Sequence, residues 1–448
     1  MKRTLVFVAC LALSPVVFAQ NNDIEALAGL QFSFANPGAR ALAMGGAFIG
    51  RADDASAAVG NPAGLTALRK PEISIEARDT SISQSFRTGG TFPYVTSADF
   101  PARGRDLSFA SLVIPAGNAA YGVYFHRPLH FSHSVDLSNR FGTPSFYLGE
   151  SGPVSADACA NDPGCQAYRI YPYSTAVDLD LRTFGVSAAW RSERLSLGGS
   201  VAYNQLSEIA YTYRTDLDVE GQPTFIVAQM NGGRMSGDRK NADVTFMLGA
   251  KVDLSRELSA GAIYRRGASF SAPVFATLVT DPSNVQLDLV KVTRFHVPDT
   301  AGVGVSWRPV DVLTLNADVV RVKYSNLTDQ FVSVIEYATD EPGAIEAVRG
   351  YGVKDGTEIR FGAEYFLPTS TPVAVRAGWW HDPAHSIAFN GPLTTPHNVA
   401  AKILFPGADS ENHYSVGLGV AMDHFQIDAA YDTSRSVDTA SISLVARY

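Results

Sequence analysis

Charge is scarce in this 448-residue chain: Asp, Glu, Lys and Arg make up 18% of it. The formal net charge is −8 and no basic run occurs, so the electrostatic footprint of a nucleic-acid-binding protein is missing and no nucleic-acid partner is expected. Cysteine is nearly absent, at three residues, which excludes a disulfide-dense scaffold and a zinc site built on thiolates. Long apolar runs are missing too. Beyond the N-terminus the longest uncharged run is about 107–125, and Pro115, Gly117 and Asn118 interrupt it. That reads as two strands and a turn, not a spanning helix. There is no Gly-x-Ser-x-Gly and no phosphate-cradling loop, so no catalytic residue, cofactor or metal is expected. His381, Asp382 and His385 open a long segment broken by Pro383 and read as solvated loop polarity rather than as metal ligands.

What is present begins with an export signal. Lys2 and Arg3 form a basic start, Leu5–Leu13 an apolar stretch, and Val17-Phe18-Ala19 a small-x-small cleavage site, so residues 1–19 are expected to be removed. Cys10 lies too early in this stretch for a lipoprotein anchor. The exported chain keeps Cys159 and Cys165, in CANDPGC. The Asp162-Pro163-Gly164 turn can bring them together, and a disulfide is expected.

The rest alternates with period two. In 438–448, Ala440, Ile442, Leu444, Ala446 and Tyr448 share one face, and Ser441, Ser443 and Arg447 the other. In 358–365, Ile359, Phe361, Ala363 and Tyr365 oppose Glu358, Arg360 and Glu364. Fourteen such strands are expected, at about 71–82, 105–115, 119–134, 176–190, 194–213, 241–253, 257–276, 299–307, 311–325, 357–367, 371–382, 412–422, 424–433 and 437–448. Long and short connections alternate between them, except at the last hairpin. Trp190, Trp307, Tyr365 and Tyr448 fall on the apolar face beside the short turns. An even strand number, one-sided long loops and an aromatic girdle predict an all-β fold, a 14-stranded antiparallel transmembrane β-barrel over 71–448. Such a barrel implies a multi-pass protein of the Gram-negative outer membrane. Lipopolysaccharide and outer-membrane lipid would surround it, and the barrel assembly machinery would insert it. A monomer is expected.

One segment does not alternate. In 36–68, 16 of 33 residues are Ala or Gly, and Asp53–Leu65 reads DDASAAVGNPAGL. Gly60 and Pro62 break any helix started by the alanines. Fourteen strands enclose a lumen wider than side chains fill. Residues 20–70 are therefore expected to fold back as a small-residue plug packed against the inner wall.

These residues carry a resemblance. Gly38–Leu65, GARALAMGGAFIGRADDASAAVGNPAGL, resembles the N-terminal hatch of the FadL/TodX family of outer-membrane transporters of hydrophobic compounds. Asn61, Pro62, Ala63 and Gly64 match its Asn-Pro-Ala signature. Val297–Ser325, Glu358–Pro383 and the last 35 residues resemble its later hairpins, while the match is patchy between roughly 130 and 240. The resemblance implies passive uptake of long-chain fatty acids or aromatic hydrocarbons, with capture at outer loops, hatch movement and lateral exit where an early strand kinks. It puts the kink in AAYGVYFHRPLHFSH, where Arg127 and Pro128 are the candidates; an ordinary strand end before a long loop is the alternative. A change of apolar parity at Leu181–Phe184 suggests a bulge. Arg360 and Arg376 face the polar side of adjacent strands and are candidates for a ligand carboxylate, or for pairing with Glu358 and Glu364. A short loop helix is expected at 341–350. The rival functions are a binding or shuttle role in secretion, as in other members of the superfamily, and a general porin. An N-terminal plug argues against the porin.

Overall fold

The computed structural model describes residues 36–137, 144–170, 173–217, 223–232, 241–280, 285–328 and 350–448. The expected export signal, the first part of the expected plug and nearly all of the expected loop helix lie outside these.

Fourteen strands form the wall: β1 (Glu72–Thr91), β2 (Tyr94–Ala116), β3 (Ala119–Asp136), β4 (Tyr173–Ser192), β5 (Leu195–Leu217), β6 (Ala242–Asp253), β7 (Leu258–Arg265), β8 (Thr300–Val310), β9 (Leu313–Val322), β10 (Gly356–Leu367), β11 (Val373–Asp382), β12 (Glu411–Ala421), β13 (Phe425–Thr433) and β14 (Val437–Arg447). Each pairs antiparallel with its chain neighbours in the wall. The ring closes because Glu72 of β1 is opposite both Val113 of β2 and Arg447 of β14. Closure removes the sheet edges. No helix among the described residues is long and apolar enough to cross a membrane.

The side-chain distribution is the inverse of a water-soluble sandwich. Val303, Phe361, Leu418 and Ile442 are 59%, 49%, 58% and 62% exposed on the outside, whereas Asp318, Glu364, Asp428 and Ser441 are buried inside. Only a lipid surround makes an exterior apolar belt favourable and leaves the polar face to the lumen. Trp190, Trp307, Tyr365 and Tyr448 are exposed near the short connections, where amphipathic rings anchor a barrel at the interface.

Three local readings of the sequence are corrected. β1 and β2 do not stop at 82 and 105. They continue as a paired ribbon to Thr91 and Tyr94, because inward Ile82, Gln84 and Phe86 keep the alternation going. The strand expected at 257–276 is two. β7 ends at Arg265, and Gly267 passes so close to the chain that an added Cβ would lie 1.7 Å from the Val297 carbonyl oxygen. The following strand, Ser269–Thr280, leaves the wall to pair with Val285–His296 and Pro223–Gly232. Finally, β4 carries no bulge at 181–184, and its register against β5 is unbroken. Odd residues point inward throughout: Val177, Leu179 and Leu181 are buried in the lumen, as are Thr183 and Ser187. The greasy side, not the strand, changes face.

The topology gives two expected outcomes. In a background lacking the native cysteine pair, Ser410→Cys should react with a membrane-impermeant thiol reagent on whole cells, and Ser192→Cys should not; reversed labelling would refute the orientation. Leu444→Arg, on the lipid face of β14, should cost about 2–4 kcal/mol in a folding titration into vesicles if it lies near the midplane.

Candidate functional site: the plug and the lumen

Residues 36–68 lie within the ring of strands. Their backbone is compact because glycine supplies the turns. Gly38 precedes the short helix α1 (Ala39–Ala43) with φ 100°, and Gly45 and Gly46 follow it with φ 62° and 71°. A second short helix, α2 (Ala57–Gly60), leads to Asn61 in extended conformation and then to a 3-10 helix, Pro62–Ala67. Pro62 occupies the first helical position, where a missing N–H costs nothing. Small residues let this chain lie backbone against backbone on the wall: a Cβ on Gly378 of β11 would meet the Gly45 nitrogen at 2.0 Å.

Asn61 is fully buried. Its Oδ1 accepts from Ala63 N, and its Nδ2 donates to the carbonyls of Ile49 and of Ala250 in β6, at 3.0 and 3.2 Å. One side chain thus fixes the turn, ties two parts of the plug together and fastens them to the wall. A Cβ on Gly249 would lie 2.2 Å from Asn61 Oδ1, so β6 needs glycine there. Asn61→Ala should therefore cost about 1–3 kcal/mol in plug stability, because it leaves buried groups without partners. Faster hydrogen exchange at Ala63 N, with the barrel amides unchanged, would register it; unchanged exchange at Ala63 would contradict the role.

Wall carboxylates hold the plug by its N–H groups. Asp318 of β9 accepts from Phe48 and Ile49 at 2.7 and 2.9 Å, Glu76 of β1 from Gly38 at 2.9 Å, and Glu72 from Ala55 at 2.7 Å. On the far side, Ser200 Oγ donates to the Ala58 carbonyl at 2.8 Å. The strongest tie is Arg40 of α1. Its Nε and Nη2 donate to the two oxygens of Glu364 in β10, both at 2.8 Å, and its Nη1 reaches Asp53 at 2.7 Å. Such a bidentate, charge-assisted pair is both strong and directional. Burial alone would raise the Asp53 carboxyl, but Arg40 and then Arg51 hold it well below the usual carboxylate range, so it stays ionised near neutrality.

Arg376 and Arg360 have different surroundings. Arg376 is enclosed between Glu364 and Asp428, each at 2.7 Å, with 1% of its side chain exposed. Arg360 pairs with Glu358, donates to the Gly46 carbonyl at 3.3 Å and lies 5.6 Å from the Trp380 ring centroid. It borders a cavity of about 90 Å³ between the plug and β1–β3 and β10–β14; Arg376 does not.

Arg127 and Pro128 sit where β3 is irregular. The β3–β4 register shifts between His126 and Leu129, and inward residues are even up to His126 and odd from Leu129. The β2–β3 ladder lapses between Phe109↔His126 and Arg103↔Ser132. Pro128 lacks the N–H that a continuous ladder requires. Arg127 spans the irregularity and binds both Asp106 of β2 and Asp180 of β4. Pro128 borders that cavity and also a second one of about 70 Å³.

Toward the long-loop end the lumen becomes apolar. Leu129, Phe131, Val177, Leu179, Leu181, Leu206, Val320 and Val322 form one buried cluster. Ile387, Phe389 and Phe405 from the connection between β11 and β12 join it. The signal for this was in the sequence, in the apolar parity change of β4. Arg40 and Asp318 carried no such signal, because a lone lumen charge looks alike in sequence whether it is solvated or bound to the plug. Asp382 and His385 are not solvated loop polarity: both are buried, and His385 stacks on Tyr324 with ring centroids 4.2 Å apart.

Cys159 and Cys165 are joined, with Cα atoms 5.2 Å apart, at the end of the short helix Ala156–Ala160. Intact mass with and without reduction before alkylation should show the exported protein taking up two alkyl groups only after reduction.

No known protein-family profile matches the chain, and no curated protein sequence matches it. Solved structures do. A Pseudomonas aeruginosa FadL homologue superposes with TM-score 0.61 at 15% identity over 94% of this chain and 99% of that one. The P. putida toluene transporter TodX gives 0.59 at 15% over 93% and 99%. The Ralstonia pickettii toluene transporter TbuX gives 0.55 at 16% over 93% and 100%. With its closed wall of fourteen antiparallel strands, the chain has the fold of the FadL/TodX outer-membrane barrels.

Proposed function

We propose that the protein is an outer-membrane channel for the passive uptake of hydrophobic molecules, and not an enzyme. The observation that carries this reading is the composition of the lumen. A porin passes hydrated solutes and needs a polar lining. Here the long-loop half of the lumen is lined by Leu, Val, Ile and Phe, and the chain below it is obstructed by the plug. Apolar surface shielded from water inside a membrane barrel suits a greasy ligand, whose transfer from water is favourable without any energy-coupling device. The solved relatives support the reading, since two of those reported are toluene transporters by name.

In the mechanism that follows, the outer loops capture the ligand and pass it to the apolar cluster. A shift of the plug opens the path below. The ligand leaves sideways through the irregular part of β3 around Arg127 and Pro128, so it enters lipid without crossing water. The test is transport in cells lacking their own uptake channels for these compounds. Expression should raise entry of radiolabelled oleate or toluene but leave entry of a small sugar unchanged. Rapid sugar entry with no gain for either hydrophobic compound would establish the porin instead.

A further inference from the structure

We infer that the outer, lipid-facing side of β2–β5 holds one phospholipid of the periplasmic leaflet in a seat of its own, with an acyl chain in a groove at Ala188 and Gly199 and a zwitterionic head at the β4–β5 turn. The seat lies outside the wall and does not depend on what passes through the lumen.

A groove of about 460 Å³ crosses the outer face of these strands. Its shape follows from side-chain size and register. In one outward row Val123 of β3, Val186 of β4 and Val201 of β5 are opposite one another in succession. In the next row toward the short turns, Tyr121 is opposite Ala188, and Ala188 is opposite Gly199. Two adjacent positions with almost no side chain are thus walled by large ones, and Tyr121 stands 56% exposed at their side. Packing of the wall does not require this glycine. A Cβ on Gly199 would meet the Met247 carbonyl oxygen at 3.6 Å and Leu248 Cδ2 at 3.8 Å, which is ordinary contact, whereas Gly249 has an atom of the plug at 2.2 Å. What the missing side chain creates at 199 is the trough itself.

Position and charge identify the occupant. The trough is apolar and lies in the belt that faces lipid, so hydrocarbon fills it. Trp190, the interfacial anchor of β4, is two residues beyond Ala188 on the same face, and the strand then enters the turn between Ser192 and Leu195. There Glu193 and Arg194 are exposed side by side, and among the described residues neither forms an ion pair. Arg191 is already held by Asp253 at 2.6 Å. The turn therefore offers one free cation and one free anion. Arg194 suits a phosphate and Glu193 an ammonium that can donate to it, which is the charge pattern of phosphoethanolamine rather than of an anionic head. The lengths agree. Gly199 is about 17 Å from Arg194 along the strand and about 12 Å from it in depth at a 45° tilt, within the roughly 15 Å of one hydrocarbon leaflet. A chain whose head lies at the turn thus passes through the trough.

The test is native mass spectrometry of the full-length barrel, purified in uncharged detergent and mixed in turn with dioleoyl phosphatidylethanolamine, phosphatidylglycerol and phosphatidylcholine. Wild type should retain one phosphatidylethanolamine at collision energies that strip all other lipid, and the other two more weakly. Gly199→Leu fills the trough and should lower retention of that lipid about 10-fold. Arg194→Gln should lower it about 3–10-fold. Val303→Leu, on the lipid face away from the groove, should change nothing. An added leucine on a lipid-facing strand and a neutral residue in a turn leave the wall intact, and heat-modifiable migration checks that each variant is folded. Lipid retained in graded numbers, with no variant altering the pattern, would mean that only the general lipid shell touches this face, and the seat is wrong. It is equally wrong if Arg194→Gln loses the lipid and Gly199→Leu keeps it, or if the spectrum shows a dimer that Gly199→Leu abolishes, since the face would then be an interface between copies of the chain. None of these results bears on uptake through the lumen, which the transport assay tests separately.

Discussion

Deleting residues 36–68 should turn an occluded barrel into an ion-conducting pore while leaving the wall assembled. Every strand-to-strand ladder of the wall lies outside this segment, since β1 starts at Glu72 and closes on β14 directly. The ring is therefore complete without the plug. Removing it exposes Glu72, Glu76, Asp318 and Glu364, which now accept plug N–H groups or Arg40, to the water that fills the vacated lumen. Carboxylates that become hydrated lose partners without being left buried, so the penalty to the wall is small compared with the loss of a wall strand. Four lumen acids in a widened channel should also make the pore cation-selective. Single-channel recording in planar bilayers checks this: wild type should be silent, and the deletion should give steady, cation-selective current. A silent deletion variant that still migrates as a folded barrel would show that the outer loops, not the plug, close the lumen.

Arg376→Met should be among the most damaging single substitutions in the wall. Arg376, Glu364 and Asp428 have side-chain exposures of 1%, 0% and 1%, and the arginine lies between the two acids. A buried pair adds little over a well-packed apolar replacement, but removing one member leaves uncompensated charge, at about 3–5 kcal/mol. Here Asp428 would keep Gln426 at 2.8 Å as a neutral partner, and Glu364 would keep Arg40. Arg40→Met should cost less, because Glu364 then retains Arg376 and the plug can move away. Urea unfolding in vesicles measures both. A double change, Arg376→Met with Asp428→Asn, should recover part of the loss, since it removes the stranded charge. If Arg376→Met costs under about 1 kcal/mol, water reaches the network and the interior is wetter than its burial indicates.

How much of this was readable beforehand differs from element to element. β14 was legible down to the facing of each residue from Ala440 to Leu444, because a lipid-facing strand shows its period directly in the hydropathy of alternate residues. The ends of β1 and β2 were not. Above the membrane the outward face no longer has to be apolar, so the pattern fades although the pairing continues to Thr91 and Tyr94. The parity change in β4 was visible, but its cause was not: a bulge and an apolar lumen give the same string of letters, and only the register against β5 separates them. For Arg360 and Arg376 the side of the strand was legible and the partner was not, since pairing with Glu358 or Glu364 depends on how neighbouring strands are offset. The segment around Asn61 was recognisable as compact from its glycines, alanines and Pro62. That Asn61 reaches Ala250, 189 residues away, followed from no local feature.

The sequence by itself therefore determined the strand number, the two faces of the wall, the end that carries the aromatic girdle and the presence of a small-residue segment that cannot be a strand. Each is a local consequence of backbone period, side-chain volume and the preference of apolar groups for lipid. The tertiary structure decided which carboxylates grip the plug, where the β3 ladder lapses beside Pro128 and that the long-loop half of the lumen is apolar. Those depend on closure: the ring brings β1 against β14 and places residues from opposite walls on one plug, and electrostatic pairing acts through distances that chain order does not encode.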